Sequence, residues 1–78
     1  MPTVLVIGPY RFFFYSNDGH EPRHIHVERD DCVAKFWLDP VVLQRSGGFT
    51  RHEISRVQKL VAAHREERID AWAEYFGD

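Results

Sequence analysis

Residues 24–38 read HIHVERDDCVAKFWL, and this stretch decides the fold. Its two halves, 24–29 and 32–38, are rich in the β-branched and aromatic residues that favour strands. Asp30-Asp31 between them is a connection of two residues, the commonest length for a tight hairpin turn, although Asp-Asp is a less typical pair than Asn-Gly and a longer loop stays open. The sequence therefore predicts a β-hairpin here.

Alternation along the first strand separates two kinds of chemistry. Successive side chains of a strand point to opposite faces of the sheet. Ile25 and Val27 therefore share one face, and His24, His26 and Glu28 share the other. One face suits a core and the other carries reactive groups.

A two-residue turn also fixes the register of the hairpin. In that register one face is mostly apolar, while the other is polar with one aromatic residue, so pattern and pairing agree. The predicted cross-strand pairs are Arg29–Cys32, Glu28–Val33, Val27–Ala34, His26–Lys35, Ile25–Phe36 and His24–Trp37.

An earlier hairpin and a later helix flank this stretch. Strands are predicted over residues 3–7 and 10–16, joined by Gly8-Pro9, and residues 41–49 read as a connection. A helix is predicted over about 51–76, because apolar residues recur at helical spacing without glycine or proline, although a break near Ala62-Ala63 stays open.

The helix start carries a capping box. Thr50 is placed to accept a hydrogen bond from the amide of Glu53, whose own side chain would reach back to Thr50. The predicted fold is thus a single α+β domain over residues 1–78: a small antiparallel sheet of about four strands, made of two hairpins, with one long C-terminal helix packed on one face.

The lengths of the predicted helix and strands indicate that part of the apolar surface stays uncovered. A helix of this length spans about 39 Å, whereas a six-residue strand spans about 20 Å. One helix leaves one sheet face open and overhangs the sheet end. We therefore expect a homo-oligomer or a small cognate protein partner to bind the exposed apolar residues, which are Trp37, Ile69, Trp72, Tyr75 and Phe76.

Composition bears on the cellular location of the protein and on the class of its partners. The 78-residue chain has one cysteine, Cys32, so it has no internal disulfide, and it lacks an apolar run long enough to span a membrane. We expect a cytoplasmic protein. The net charge of −2 gives no overall basic footprint for nucleic acid.

The histidines raise the question of a metal. Alternate histidines on a strand can share a divalent ion. Glu28 would lie about 13 Å from His24 along the strand, too far to complete the same site. His20 in the preceding loop is the better third ligand, which gives His20, His24 and His26 as the metal alternative. No cofactor is favoured.

The same row suits proton transfer. Metal-independent ribonucleases use histidine or glutamate to move protons and cationic side chains to stabilise phosphate charge. The candidate catalytic residues are His24, His26, Glu28 and Lys35. The candidate phosphate or nucleic-acid contacts are Arg11, Arg23 and Trp37, the last by stacking on a base.

Several segments together resemble a known family. They are MPTVLVIGPYRFFFYSNDG at 1–19, EPRHIHVERD at 21–30, AKFWLDP at 34–40, GGFTRHE at 47–53 and AWAEYFG at 71–77. They resemble the small bacterial family catalogued as domain of unknown function 4160. The resemblance implies a compact α+β protein that is often encoded beside a second small protein, in toxin–antitoxin-like pairs. It implies no reaction, cofactor or substrate.

Three functions follow as hypotheses. The first is a component of a two-gene module that acts by protein–protein interaction with its cognate partner. The second is an RNA-acting toxin that uses the His/Glu/Lys row. The third is a divalent-metal-binding domain.

Overall fold

The chain forms a five-stranded antiparallel sheet followed by two helices. The computed structural model describes residues 3–15 and 18–76, with the backbone alone at Thr3, Val4, Asp18, Arg68 and Tyr75. The sheet order is β1-β2-β3-β4-β5. Its elements are β1 (Thr3–Ile7), β2 (Tyr10–Phe13), a 3-10 turn (Asp18–His20), β3 (His24–Arg29), β4 (Cys32–Leu38), β5 (Val41–Arg45), α1 (Arg51–Ala63) and α2 (Arg65–Phe76). The predicted α+β class is confirmed.

The central hairpin has the predicted register. Asp30 adopts φ 54° in the turn, a left-handed conformation that aspartate tolerates. All six predicted pairs between β3 and β4 form, from Arg29↔Cys32 at the turn to His24↔Trp37 at the far end. The apolar pairs lie beneath α1.

A fifth strand replaces part of the predicted connection. Val41 and Val42 pair with Leu38 and Trp37 across a tight turn at Asp39-Pro40. The expectation of four strands was therefore wrong. The segment carries the β-branched signal of a strand, bounded by Pro40 on one side and the Gly-Gly pair on the other.

The second strand is shorter than predicted. It ends at Phe13 instead of residue 16, and Phe14 and Tyr15 have left the sheet. Phe14 is buried beside α2, whereas Tyr15 is exposed. The apolar sequence therefore extends beyond the end of the strand, because residues 14 and 15 make side-chain contacts outside the sheet.

The predicted single helix is two helices. The break falls at His64, whose backbone (φ −113°, ψ 20°) is not helical. Its amide donates to the carbonyls of Leu60 and Val61, which closes the last turn of α1. After the break, α2 brings Trp72 against Phe14 at the sheet end, so the predicted overhang does not form.

The core lies between the sheet and the helices. α1 buries Ile54, Val57 and Val61. The remaining buried members of this cluster are Tyr10, Phe12, Phe14, Ile25, Val27, Ala34, Phe36, Leu38, Phe49 and Trp72. Burial of this apolar set is the main favourable term for folding.

Candidate functional site

His24, the first residue of β3, is sealed inside the domain. It is 0% exposed. Its Nδ1 lies 2.8 Å from the carbonyl oxygen of Pro22. The ring of Trp72 lies 4.9 Å away and that of Trp37 5.7 Å away, measured between ring centroids. These contacts make His24 part of the packing between β3 and α2.

His26 lies within an aromatic cluster on the face of the sheet that carries the histidines, here called the histidine face. Its ring stacks on Phe13 at 5.3 Å and meets Tyr15 edge-on at 4.8 Å. The His24 ring is 5.1 Å away. His26 is 5% exposed, so only a small part of the imidazole reaches solvent.

Lys35 and Glu28 are held in ion pairs on the same face. The Nζ atom of Lys35 lies 2.5 Å from an Oε1 atom of Glu21 and 4.9 Å from the Trp37 ring centroid. Glu28 accepts a hydrogen bond of 2.8 Å from Nε of Arg11. The four candidate catalytic side chains thus have contacts within the fold.

The histidine face is not the open surface that the sequence led us to expect. Two residues between β2 and β3 lie over it, with Tyr15 on His26 and Glu21 on Lys35. The expected row of His24, His26 and Glu28 is correct as an alternation, but two of its three members are buried. The histidine face is therefore covered by other residues of the same chain.

The structure does not assemble the histidine metal site. Among the described residues no three His, Cys, Asp or Glu side chains lie together as metal ligands. His20 is exposed in the 3-10 turn, while His24 and His26 lie in the packed face. The three histidines therefore do not converge on one ion.

A cleft of about 560 Å³ opens at the end of β4 and β5, here called the Trp37 cleft. Trp37 is half-buried in it, and Val42 is 47% exposed. Arg23 stands 3.9 Å from Asp39, which also accepts a 2.8 Å hydrogen bond from Arg65. The lining is Glu21, Pro22, Arg23, Trp37, Asp39, Pro40 and Val42.

The predicted interface residues separate into two groups. Trp37 faces this cleft. Trp72 is 1% exposed, and Ile69 and Phe76 pack against the core, so these three close the domain instead of extending beyond it. The side chain of Tyr75 lies outside the described residues. Of the predicted phosphate contacts, Arg11 pairs with Glu28, and Arg23 stands at the cleft.

A polar network joins α1 to the sheet. Glu53 accepts hydrogen bonds from Arg29 at 2.6 and 2.7 Å and from the Tyr10 hydroxyl at 2.8 Å. These donors lower the pKa of the Glu53 carboxyl. Burial, followed by the bond to Glu53, raises the pKa of Tyr10.

Only one of the two hydrogen bonds of the predicted capping box forms. Thr50 does accept a hydrogen bond from the Glu53 amide, at 3.2 Å. The Glu53 side chain, however, binds Arg29 and Tyr10, because a guanidinium fork offers two charge-assisted bonds. Helix propensity rules describe only local partners, so they could not reveal this long-range one.

A second, smaller cleft of about 290 Å³ lies on the histidine face near the turn between β3 and β4. We call it the Tyr15 cleft. It is lined by Tyr15, His26, Asp31, Val33, Arg45 and Gly47. Tyr15 and Arg45 were not predicted as site residues, because the loop that brings Tyr15 back and the strand that carries Arg45 were not recognised.

Fold and site define a small α+β domain with a self-covered histidine face and an open cleft at one sheet edge. The family model described as "Domain of unknown function (DUF4160)" matches residues 10–73, and the chain belongs to this family. No curated protein and no solved structure matches the chain. Neither α1 nor α2, within the part of the chain described, could span a lipid bilayer.

Proposed function

We propose that this protein is a component of a two-gene, toxin–antitoxin-like bacterial module and acts by binding its small cognate partner protein. The partner contributes an extended segment that lies along β5 and inserts an apolar side chain into the Trp37 cleft. The observation that carries the proposal is an exposed valine, Val42, on the edge strand β5, beside the half-buried Trp37 of β4.

The position of β5 supports strand addition. It is the last strand in the sheet order, so one row of its backbone groups faces away from β4. Edge strands with free backbone groups are templates for pairing with another chain. Side-chain pockets beside such an edge supply specificity, and the Trp37 cleft adjoins β5 through Val42.

The chemistry of the cleft also suits a protein. Tryptophan and arginine are enriched at the energetic centres of interfaces. The guanidinium of Arg23 lies 3.9 Å from the Asp39 carboxylate, which is long for an ion pair. The guanidinium can therefore also bind a carboxylate or carbonyl group of the partner. A half-buried Trp37 flanked by these charges resembles an apolar interface centre with a polar rim.

The contacts of the histidine row favour binding over catalysis. General acid–base groups must reach the reacting atoms within hydrogen-bond distance. His24 is fully buried, His26 is 5% exposed, and Lys35 is engaged by Glu21. A phosphodiester would have to displace these packed contacts before proton transfer.

Two matched variants test the proposal. Val42→Glu places a carboxylate at the cleft, and Val6→Glu places one on the opposite edge strand, where Val6 is 62% exposed. Both positions are exposed, so thermal unfolding should change little. We expect Val42→Glu to weaken binding of the purified, co-encoded protein by about tenfold or more, measured calorimetrically, because an apolar pocket residue becomes charged.

Val6→Glu should bind like the natural protein. Equal binding by both variants, or a loss confined to Val6→Glu, would refute the assignment of the cleft. A concentration-dependent dimer that Val42→Glu dissociates would make a second copy of the chain the occupant and would also contradict the proposal.

A further inference from the structure

The Tyr15 cleft is separate from the Trp37 cleft and has a different chemistry. It combines an exposed aromatic ring, an exposed guanidinium and the edge of a buried imidazole. From these groups we infer that the Tyr15 cleft binds one nucleotide unit of a single-stranded nucleic acid, with the base on Tyr15 and its phosphate on Arg45. The inference does not depend on the proposed partner site.

Tyr15 has the properties of a stacking platform. It is 38% exposed, although neighbours fix the ring. Phe13 meets it edge-on at 5.2 Å and His26 at 4.8 Å. An exposed ring whose position is fixed by its neighbours can accept a base with little further loss of side-chain freedom, and every base presents a π-face.

Arg45 supplies the cation. It is exposed and forms no hydrogen bond or ion pair with another described residue. Arg11, Arg29 and Arg65, in contrast, are engaged by carboxylates of the chain. An exposed arginine without an internal carboxylate can bind a phosphate through two parallel hydrogen bonds, and Arg45 is the arginine that lines this cleft.

Size and charge limit the ligand to a single unit. The cleft volume of about 290 Å³ is at the lower end of the range for small-molecule sites. Asp31 also lines the cleft and repels every phosphate there, so one phosphate paired with Arg45 is the most that the cleft accommodates. His26 is 5% exposed and supports Tyr15 mainly through an edge-on ring contact, so the inference concerns binding and not cleavage.

Fluorescence anisotropy with a labelled single-stranded oligouridylate of about eight nucleotides tests the inference. Tyr15→Leu removes the π-face but keeps an apolar side chain, and it should weaken binding at least about fivefold. Tyr15→Phe keeps the ring and should bind normally. Arg45→Gln should reduce the slope of log K against log salt by about 0.7, the contribution of one phosphate contact on a single strand.

Lys59→Gln is the matched control for charge. Lys59 is exposed on α1 beside His52 and Arg56, away from the Tyr15 cleft. It should change neither affinity nor salt slope. Failure of the natural protein to bind the oligonucleotide at low salt would overturn the inference, as would an equal loss in Lys59→Gln and Arg45→Gln, which would place the contact on α1.

The two proposals fail separately. Val42→Glu should leave oligonucleotide binding intact, and Tyr15→Leu should leave binding of the cognate protein intact. If Tyr15→Leu and Arg45→Gln instead abolish binding of the cognate protein while the natural protein binds no oligonucleotide, the cleft is a protein site and the inference is wrong.

Discussion

Replacing Trp72 by alanine should destabilise the domain far more than replacing the other tryptophan. Trp72 is 1% exposed and lies between α2 and the sheet end. Its ring centroid is 4.4 Å from that of Phe76, 5.5 Å from Phe14 and 4.9 Å from His24. The side chain therefore joins the last helix to β3 and to the chain that leaves β2.

The magnitude follows from burial. Truncating a fully buried tryptophan to alanine costs about 3–5 kcal/mol, and a domain of this size has a total stability of only about 3–5 kcal/mol. Trp72→Ala should thus be largely unfolded in buffer. Trp72→Phe keeps an aromatic ring and should lose about half as much, because part of the contact area remains.

Urea unfolding followed by far-UV circular dichroism measures the difference. With a slope of about 1 kcal/mol per molar urea, Trp72→Phe should lower the midpoint by about 1.5–2.5 M. Trp37→Ala is the control, because Trp37 is only half-buried and should cost less than Trp72→Ala. A shift within about 0.5 kcal/mol for Trp72→Ala, as for an exposed site, would refute the packing of α2 on the sheet.

Three further perturbations test other contacts. Gly47→Ala should destabilise the domain strongly, because its Cβ would meet a carbonyl oxygen of β4 at 1.7 Å. The Cβ of Gly8→Ala would have nothing within 4 Å, so this variant should cost only the strain of its positive φ, about 1 kcal/mol. Equal melting temperatures of the two variants would contradict this difference. Glu21→Gln should cost about 1–3 kcal/mol in urea, because it leaves the buried Lys35 ammonium without its counter-charge; no change in midpoint would show that the pair is not formed. The pKa of Glu53 lies below its ordinary value of 4.5, so the contribution of Glu53 to stability is present above pH 4.5 and is lost as pH falls through the lowered pKa. Glu53→Gln should therefore flatten the decline in melting temperature on acidification. An unchanged decline would argue against the network.

The central hairpin could be predicted because its information is local. A short turn and alternating polarity determine every pair between β3 and β4, and a slip of one residue would move Ile25 and Val27 to the histidine face. The start of α1 was equally readable, since Thr50 caps it. Strand β5 also carries a local signal in its β-branched Val41 and Val42, although the short run between Pro40 and the Gly-Gly pair is equally typical of a connection.

Local sequence left the division of the helix open, with a break near Ala62-Ala63 as the alternative to one continuous helix. No glycine or proline lies near His64, and the apolar spacing continues through it. The break arises because α2 must turn to bring Trp72 onto Phe14 at the sheet end. That requirement comes from tertiary packing, which outweighs helix propensity at a single position.

The histidine row was correctly placed on one face but wrongly expected to be open. Strand periodicity states which side chains share a face and not what covers it. Tyr15 falls within the strand predicted over 10–16 and Glu21 within a polar segment, yet both lie over the histidine face and contact His26 and Lys35. Tyr15 lines its cleft because it lies over this face, and Arg45 lines it because residues 41–45 form β5.

Amide hydrogen exchange in the free and partner-bound protein tests the central claim most directly. We expect binding of the co-encoded protein to slow exchange within Val41–Arg45, because the outward amides of this edge strand gain hydrogen bonds. Exchange within residues 26–28 should not change, because this part of β3 is already paired on both sides, with β2 and with β4. Protection confined to Thr3–Ile7 or to α1, with none in β5, would contradict the account.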